Sequence, residues 1–297
     1  TTVQHATLHE NIKYQYKDGS KVANDYDRTI KYSRTKTHDL VTNNDSEWSA
    51  WKPVINQKDT NFETVTSPLI NGYTADKKEI TAPVPVDSDF ENEKTHNYNY
   101  VVTYSPDNQK IIVNYIDDTT GKTLSTKDLN GKSDEKSDYT TKDSIAEYEK
   151  QHYDLVSDET NGSELVFDHD DKVDQVYNVH FTHHMTSIND TKKINETIHY
   201  VYKDGTKAHD DINGQPVIFT RDGQRDEVTN KEHWNDWKSE KDSFDEVNSP
   251  KIAGYTPDFA TIEKITVKPE DSDVVKTVTY KANPQKIIVN YIDDTTG

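Results

Sequence analysis

The chain has 297 residues, of which 31% are hydrophobic and 30% charged, with a formal net charge of −19 and no cysteine. Disulfides and thiolate metal sites are thereby excluded, and an acidic surface repels phosphate backbones, so nucleic acid is not expected as a partner. No apolar run approaches the roughly 18 residues of a membrane span, and the opening TTVQHATL lacks the basic and apolar regions of an export signal, which places any signal or anchor outside this stretch.

Hydrophobic content this low leans toward disorder, yet 18 Tyr, 7 Phe and 4 Trp set in alternating patterns indicate folded modules with small, thin β-cores. The first module, 1–107, opens on ENIKYQYKDG: Ile12, Tyr14 and Tyr16 alternate with Lys13 and Gln15 up to an Asp18-Gly19 turn, a strong hairpin signal. Its middle carries Trp48 and Trp51 in EWSAW, where a short helix around Asp45 to Lys52 would place both rings on one face. SPLINGYT follows, and the module closes on the alternating Tyr98, Tyr100, Val102 and Tyr104.

The second module, 108–183, begins with QKIIVNYIDDTTG, in which Ile111, Val113 and Tyr115 share one strand face before a turn. In DSIAEYEKQHY, Ile145, Tyr148 and His152 lie at helical spacing and Ser144 with Glu147 fits a capping box. YDLVS, SELVFD and QVYNVHF then read as short strands. A hairpin, one helix and further strands is the order of a β-grasp fold.

From residue 184 the first pattern returns. ETIHYVYKDG, Trp234 and Trp237 in HWNDW, SPKIAGYT and DSDVVKTVTY repeat the first module over 184–283, and QKIIVNYIDDTTG reappears unchanged at 285–297, so 284–297 reads as the truncated start of another 108–183 type module. The offset between copies shifts by a few residues in polar stretches, as surface loops allow. The connections SPDNQK and KANPQK are short and each holds a proline, which predicts an extended, semi-rigid array.

KIIVNYIDDTTGKTL with the DLNGK segment resembles a MucBP domain. ETIHYVYKDG, the WxxW pair, SPxIxGYT and DSDVVKTVTY resemble the partner domain of the mucus-binding (Mub) repeats of Lactobacillus-type cell-surface adhesins. The resemblance covers nearly the whole chain. It implies tandem ubiquitin-like β-grasp modules in an elongated, β-rich α+β array, on a secreted Gram-positive protein attached to the cell wall. Adhesion to mucin glycoproteins is implied and, in some repeats, binding of immunoglobulins. No catalytic motif comes with it.

The residues themselves nominate few sites. Pyranose rings stack their apolar faces on aromatic side chains, so Trp48, Trp51, Trp234 and Trp237, with Tyr73 and Tyr255, are the candidate glycan contacts, in competition with a role for at least one Trp of each pair in the core. Asp168, Asp170, Asp171 and Asp174 in FDHDDKVD are hard oxygen donors in one loop, without an EF-hand frame. No cofactor is expected, and calcium in that loop is the one alternative, which a melting titration tests. Ser133-Asp134-Glu135-Lys136 meets S-x-x-K with nothing to activate it, and His180, His183 and His184 do not converge along a strand.

An unpaired sheet edge could instead add a strand from an immunoglobulin domain, with KIIVNYI as the candidate if it is not central. Binding class therefore rests between a multivalent adhesin, gaining avidity from weak repeated sites, and an inert stalk. An enzyme would need two carboxylates facing across a cleft, which thin modules do not favour. A monomer is expected, and carboxylate repulsion predicts firmer binding to acidic mucin at pH 4.5 than at pH 7.

Overall fold

The structure is a computed structural model that describes residues 1–292, 294 and 295, and the chain divides into two compact units, Thr1–Thr182 and His183–Gly297. In the first unit β1 (Thr2–Tyr16) and β2 (Tyr26–Lys36) form an antiparallel hairpin. β3 (Lys52–Pro53) pairs with β2, β4 (Tyr73–Ala75) pairs with the closing strand β5 (Thr95–Pro106), and β5 runs parallel to β1, giving the order β3-β2-β1-β5-β4.

Alternation turns Ala6, Leu8, Glu10, Ile12 and Tyr14 of β1 inward. The row splits into two hydrophobic clusters. Leu8, Ile30, Tyr32 and Phe62 lie to one side, and Ile12, Tyr14, Ile80, Val102 and Tyr104 to the other. Between them sits Glu10, 0% exposed, with neither carboxylate oxygen hydrogen-bonded.

The helix expected around Asp45 to Lys52 is absent, and the physical reason lies in β2. The backbone N–H groups of Ser46 and Ser49 donate to the carbonyls of Thr37 and Thr35, while their hydroxyls accept from the Thr37 and Thr35 N–H groups. The Ser49 N–H, the first donor that such a helix would use internally, is thereby committed to the strand.

The next module is a ubiquitin-like β-grasp. β6 (Asn108–Asp117) and β7 (Lys122–Lys132) form the hairpin, α1 (Lys142–Lys150) follows, and β8 (Tyr153–Asp158) and β9 (Gln175–His183) complete the sheet in the order β7-β6-β9-β8, with β9 parallel to β6. Ile145 and Tyr148 of α1 pack on Ile111, Val113, Tyr115, Val179 and Phe181.

Three local expectations fail here. The cap position is Thr141, whose hydroxyl donates to Asp158 instead of capping the helix, so Ser144 and Glu147 form no capping box. His152 lies past the helix end with φ 67°. SELVFD supplies the buried Leu165 and Phe167 but only an isolated bridge between Lys136 and Val166, not a strand.

KIIVNYI is also not an edge. β6 is flanked by β7 and β9, so its backbone groups are already paired and no partner strand can add there. Proline at Val113 would therefore disrupt the sheet itself rather than separate two binding activities.

In DLNGK the glycine has a packing reason. A Cβ on Gly131 would lie 2.3 Å from the Phe167 ring. Gly131→Ala is expected to destabilise this module by about 1–3 kcal/mol through overpacking, read as a lower midpoint in urea at unchanged m.

The second unit repeats the first module with its long hairpin cut in two. β10 (Met185–Ile194) and β11 (Glu196–Tyr202) stand where β1 was, with β12 (Lys207–Asn213) and β13 (Val217–Asp226) opposite them. Gly214-Gln215-Pro216 interrupts the returning strand, since proline offers no ladder donor. β14 (Lys231–Trp234), β15 (Tyr255–Pro257) and β16 (Val274–Ala282) complete sheets ordered β10-β13-β14 and β12-β11-β16-β15, with β16 parallel to β11.

Two clusters again flank a buried carboxyl. Glu196, 2% exposed, separates the Ile194, Val217 and Phe219 group from the Ile198, Tyr200 and Val278 group. The expected opening strand of a further module does not form among the described residues after 284. Ile287, Ile288, Val289, Tyr291 and Ile292 stay exposed, without the hairpin and closing strands that bury their counterparts in β6. Of the repeated DDTTG turn, Asp293, Thr296 and Gly297 lie outside the described residues.

Candidate functional site

Each Trp pair encloses an arginine. Arg34, projecting from β2, has its guanidinium carbon 4.9 Å from the Trp48 ring centre and 4.7 Å from that of Trp51. Arg221 of β13 stands 4.4 Å from both Trp234 and Trp237. Such contacts join cation–π attraction to planar stacking.

The inner member of each pair also closes a core. Trp51 packs on the Leu8 cluster and stacks on Phe90 at 5.2 Å and 15°, and Trp237 packs on the Ile194 cluster. All four rings are half-buried. The two clamps differ in what holds the arginine: the Arg34 Nε donates to the neutral Gln4 Oε1 at 2.7 Å, whereas Arg221 donates twice to the Asp190 carboxylate, at 3.1 and 2.8 Å.

The SPxIxGYT stretches build a second repeated feature. Ser67 and Ser249 hydroxyls donate to the carbonyls of Lys77 and Phe259, and the buried Tyr104 and Tyr280 hydroxyls donate to those of Pro68 and Pro250. The loops so pinned border clefts of about 380 Å³ beside Ile70 and Tyr73 and about 680 Å³ beside Ile252 and Tyr255. Tyr73 packs against Tyr16 and Tyr255 against Tyr202, both pairs at 4.8 Å.

Within the first unit Tyr73 is occupied by the following module. Its hydroxyl donates to Asp134 at 2.5 Å, the His169 ring lies 5.8 Å away edge-on, and His169 Nε2 meets the other Asp134 oxygen at 2.8 Å. The Asp134 hydrogen bond pushes the Tyr73 phenol up to about 12, while bonds from Tyr73 and His169 hold the Asp134 carboxyl below its usual range. Ser133 of the S-x-x-K pattern is buried in the same junction, its hydroxyl bonded to Gln109 and its N–H to the Asp107 carbonyl. Tyr255, by contrast, is 36% exposed.

Asp168, Asp170 and Asp171 border an open cleft with Asn71, His169 and Lys172, but their oxygens do not converge. Asp168 accepts from the Asp170 N–H, Asp170 from the Lys172 N–H, and Asp171 from Gln109. Among the described residues no group of three or more His, Asp or Glu is arranged to hold a metal ion. His180 pairs with Asp118 at 2.8 Å, and the buried His183 pairs with Asp226 at 2.7 Å. Burial opposes ionisation of Asp226, yet hydrogen bonds led by His183 hold its carboxyl down to about 2.

Two sets of residues went unnoticed in the sequence. Arg34 and Arg221 precede their Trp pairs at nearly equal distance, and Glu10 and Glu196 occupy inward positions in both ENIKY and ETIHY. Each signal was a matched residue between copies.

A Muc B2-like domain matches residues 1–108 and 185–284, and a mucin binding domain matches residues 109–183. Among solved structures, Mub-RV is 38% identical over 59% of this chain and 100% of its own, with a TM-score of 0.53. The type 2 repeat of the mucus binding protein MUB from Lactobacillus reuteri is 36% identical over 59% and 100%, at 0.42. The mucin-binding domain of Spr1345 from Streptococcus pneumoniae is 32% identical over 34% and 99%, at 0.31. No curated protein matches the chain. Among the described residues no helix is long and apolar enough to cross a membrane. The matched domains are those of extracellular mucus-binding adhesin repeats and not of enzymes, and the chain belongs to that family.

Proposed function

We propose that this chain is an adhesive segment of a cell-wall-attached Gram-positive surface protein, which binds mucin glycoproteins as a monomer through repeated, individually weak sites. The observation that carries this reading is the doubled Trp–Arg–Trp corner, an aromatic surface built at the same place in both Muc B2-like domains. Shallow sites of this kind gain strength when linked copies meet a multivalent partner.

The test is binding of the monomeric chain to immobilised mucin and to the same mucin stripped of glycans. Glycan-dependent binding is expected, reduced at least severalfold when Trp48 and Trp234 are both replaced by alanine. Absence of binding by a folded chain would instead favour a stalk. A second reading, immunoglobulin binding, finds support at the edge strand β8, where Leu155 and Val156 are exposed. Capture of immunoglobulin that survives Leu155→Lys would sink it.

A further inference from the structure

We infer that the Trp48–Arg34–Trp51 corner of the first domain recognises an acidic sugar, one carrying a carboxylate or a sulfate, and that its counterpart in the second domain does not. This deepens the adhesin reading and rests on it for the biological source of the sugar. The starting point is the state of the two guanidinium groups. Arg34 lies over both indoles and spends its Nε on an uncharged amide, which leaves its terminal N–H groups without a carboxylate partner among the described residues. Arg221 lies over its pair in the same way, but a carboxylate already occupies it.

The difference extends around the corner. In register with the two arginines, Gln4 opposite Arg34 is replaced by Asp190 opposite Arg221, and Lys36, two residues beyond Arg34, is replaced by Gly223. Both changes leave the second corner more negative, and both fall beside the clamp. Lys36 lies 5.3 Å from the Trp48 ring centre, whereas Gly223 brings no charge and lies against the Trp234 ring, which a Cβ there would meet at 2.9 Å. Asp45, the acidic neighbour of the first corner, is held by Lys36 at 2.8 Å and His38 at 2.7 Å. Its counterpart by strand register, Glu232 opposite Arg225, is also acidic and accepts the Trp234 indole N–H.

A guanidinium with free terminal donors is suited to a planar carboxylate or a sulfate, in paired charge-assisted hydrogen bonds. The flanking indoles offer the apolar surface on which the ring of the same sugar can rest. The guanidinium selects for charge and the indoles for a sugar ring. Together, in a chain of net charge −19, they give a local exception to a field that otherwise repels anions.

The test is titration of the full chain with 3′-sialyllactose, lactose 3′-sulfate and lactose, followed by calorimetry and by the indole N–H resonances of the four tryptophans. The two charged sugars are expected to bind at one site per chain and to move Trp48 and Trp51, with lactose at least about tenfold weaker; their ratio shows whether carboxylate or sulfate is preferred. Gln4→Asp copies the second corner into the first and should weaken the charged sugars about tenfold. Asp190→Gln does the reverse and should raise the stoichiometry from one to two. Equal affinity for lactose, or Gln4→Asp and Asp190→Gln both without effect, overturns the inference. Because Asp190→Gln is a gain, a folding defect in Gln4→Asp does not blunt the test. Mucin binding that persists while no charged sugar binds would overturn this inference and leave the adhesin reading standing. Binding of charged sugars without mucin binding would do the opposite.

Discussion

Replacing Glu10 and Glu196 together by glutamine is expected to stabilise the chain at pH 7 and to flatten its response to mild acid. Both carboxyls sit in the middle of a hydrophobic row, 0% and 2% exposed, and Glu10 has neither oxygen bonded. Burial raises the pKa of each above the ordinary 4.5. Arg28 works against that rise at Glu10; at Glu196, Asp245 adds to it while Lys241 and Lys276 oppose it.

The sign follows from linkage. A raised carboxyl favours the folded state below about pH 4.5, and that contribution is lost as pH climbs through the folded-state value. Asp134 and Asp226 act in the opposite sense, their stabilisation present at neutrality and lost as pH falls below about 3.8 toward the folded value of about 2 for Asp226. Stability should therefore peak in mild acid. Each glutamine should raise stability at pH 7, because it fills the same volume without the charge that burial disfavours, and thermal melts from pH 8 to pH 4 should lose most of their rise. An unchanged pH profile in the double variant would show that these carboxyls are not the source.

Gly72→Ala and Gly254→Ala occupy the same place in the two SPxIxGYT loops and should differ sharply. Both glycines have left-handed backbone, φ 74° and 79°, so each alanine costs about 1–2 kcal/mol in strain. At Gly254 nothing lies within 4 Å of the added carbon, whereas at Gly72 it would meet Ser133 Oγ at 2.7 Å and the His169 Cα at 2.8 Å. The backbone of His169 cannot swing aside as a flexible side chain would, so Gly72→Ala adds about 1–3 kcal/mol of overpacking. The junction should open in consequence. Expected results are a second, earlier transition in calorimetry and faster proteolysis near Asp107, with Gly254→Ala showing neither. Equal effects from the two substitutions would mean that the Gly72 contact is not tight in solution.

The strands were the legible part of this chain, because a half-buried strand writes its burial as alternation. Ile12, Tyr14, Ile111, Val113 and Tyr115 all face inward as their spacing predicts. The Trp segment was not legible: its spacing suits a helix, but Ser46 and Ser49 trade hydrogen bonds with a strand many residues earlier, and no local pattern records that. The same holds for β6, whose sequence is that of a strand without stating whether one neighbour or two will pair with it. At the candidate site the aromatic rings could be named from repetition alone. The arginine beside them was marked only by its recurrence at nearly the same distance before each pair, a mark that amid 30% charged residues gains meaning once the fold sets the cation over two indoles.

One shared feature of all three modules has a mechanical meaning. In each, an opening strand lies beside the closing strand and parallel to it: β1 with β5, β6 with β9, β11 with β16. Tension applied through the two ends of a module then pulls these neighbours past each other along their length. The hydrogen bonds between them are loaded in shear and must yield together, instead of opening one at a time as they would in a hairpin peeled from its end. Such modules are clamps that resist being drawn out along the line joining their two ends.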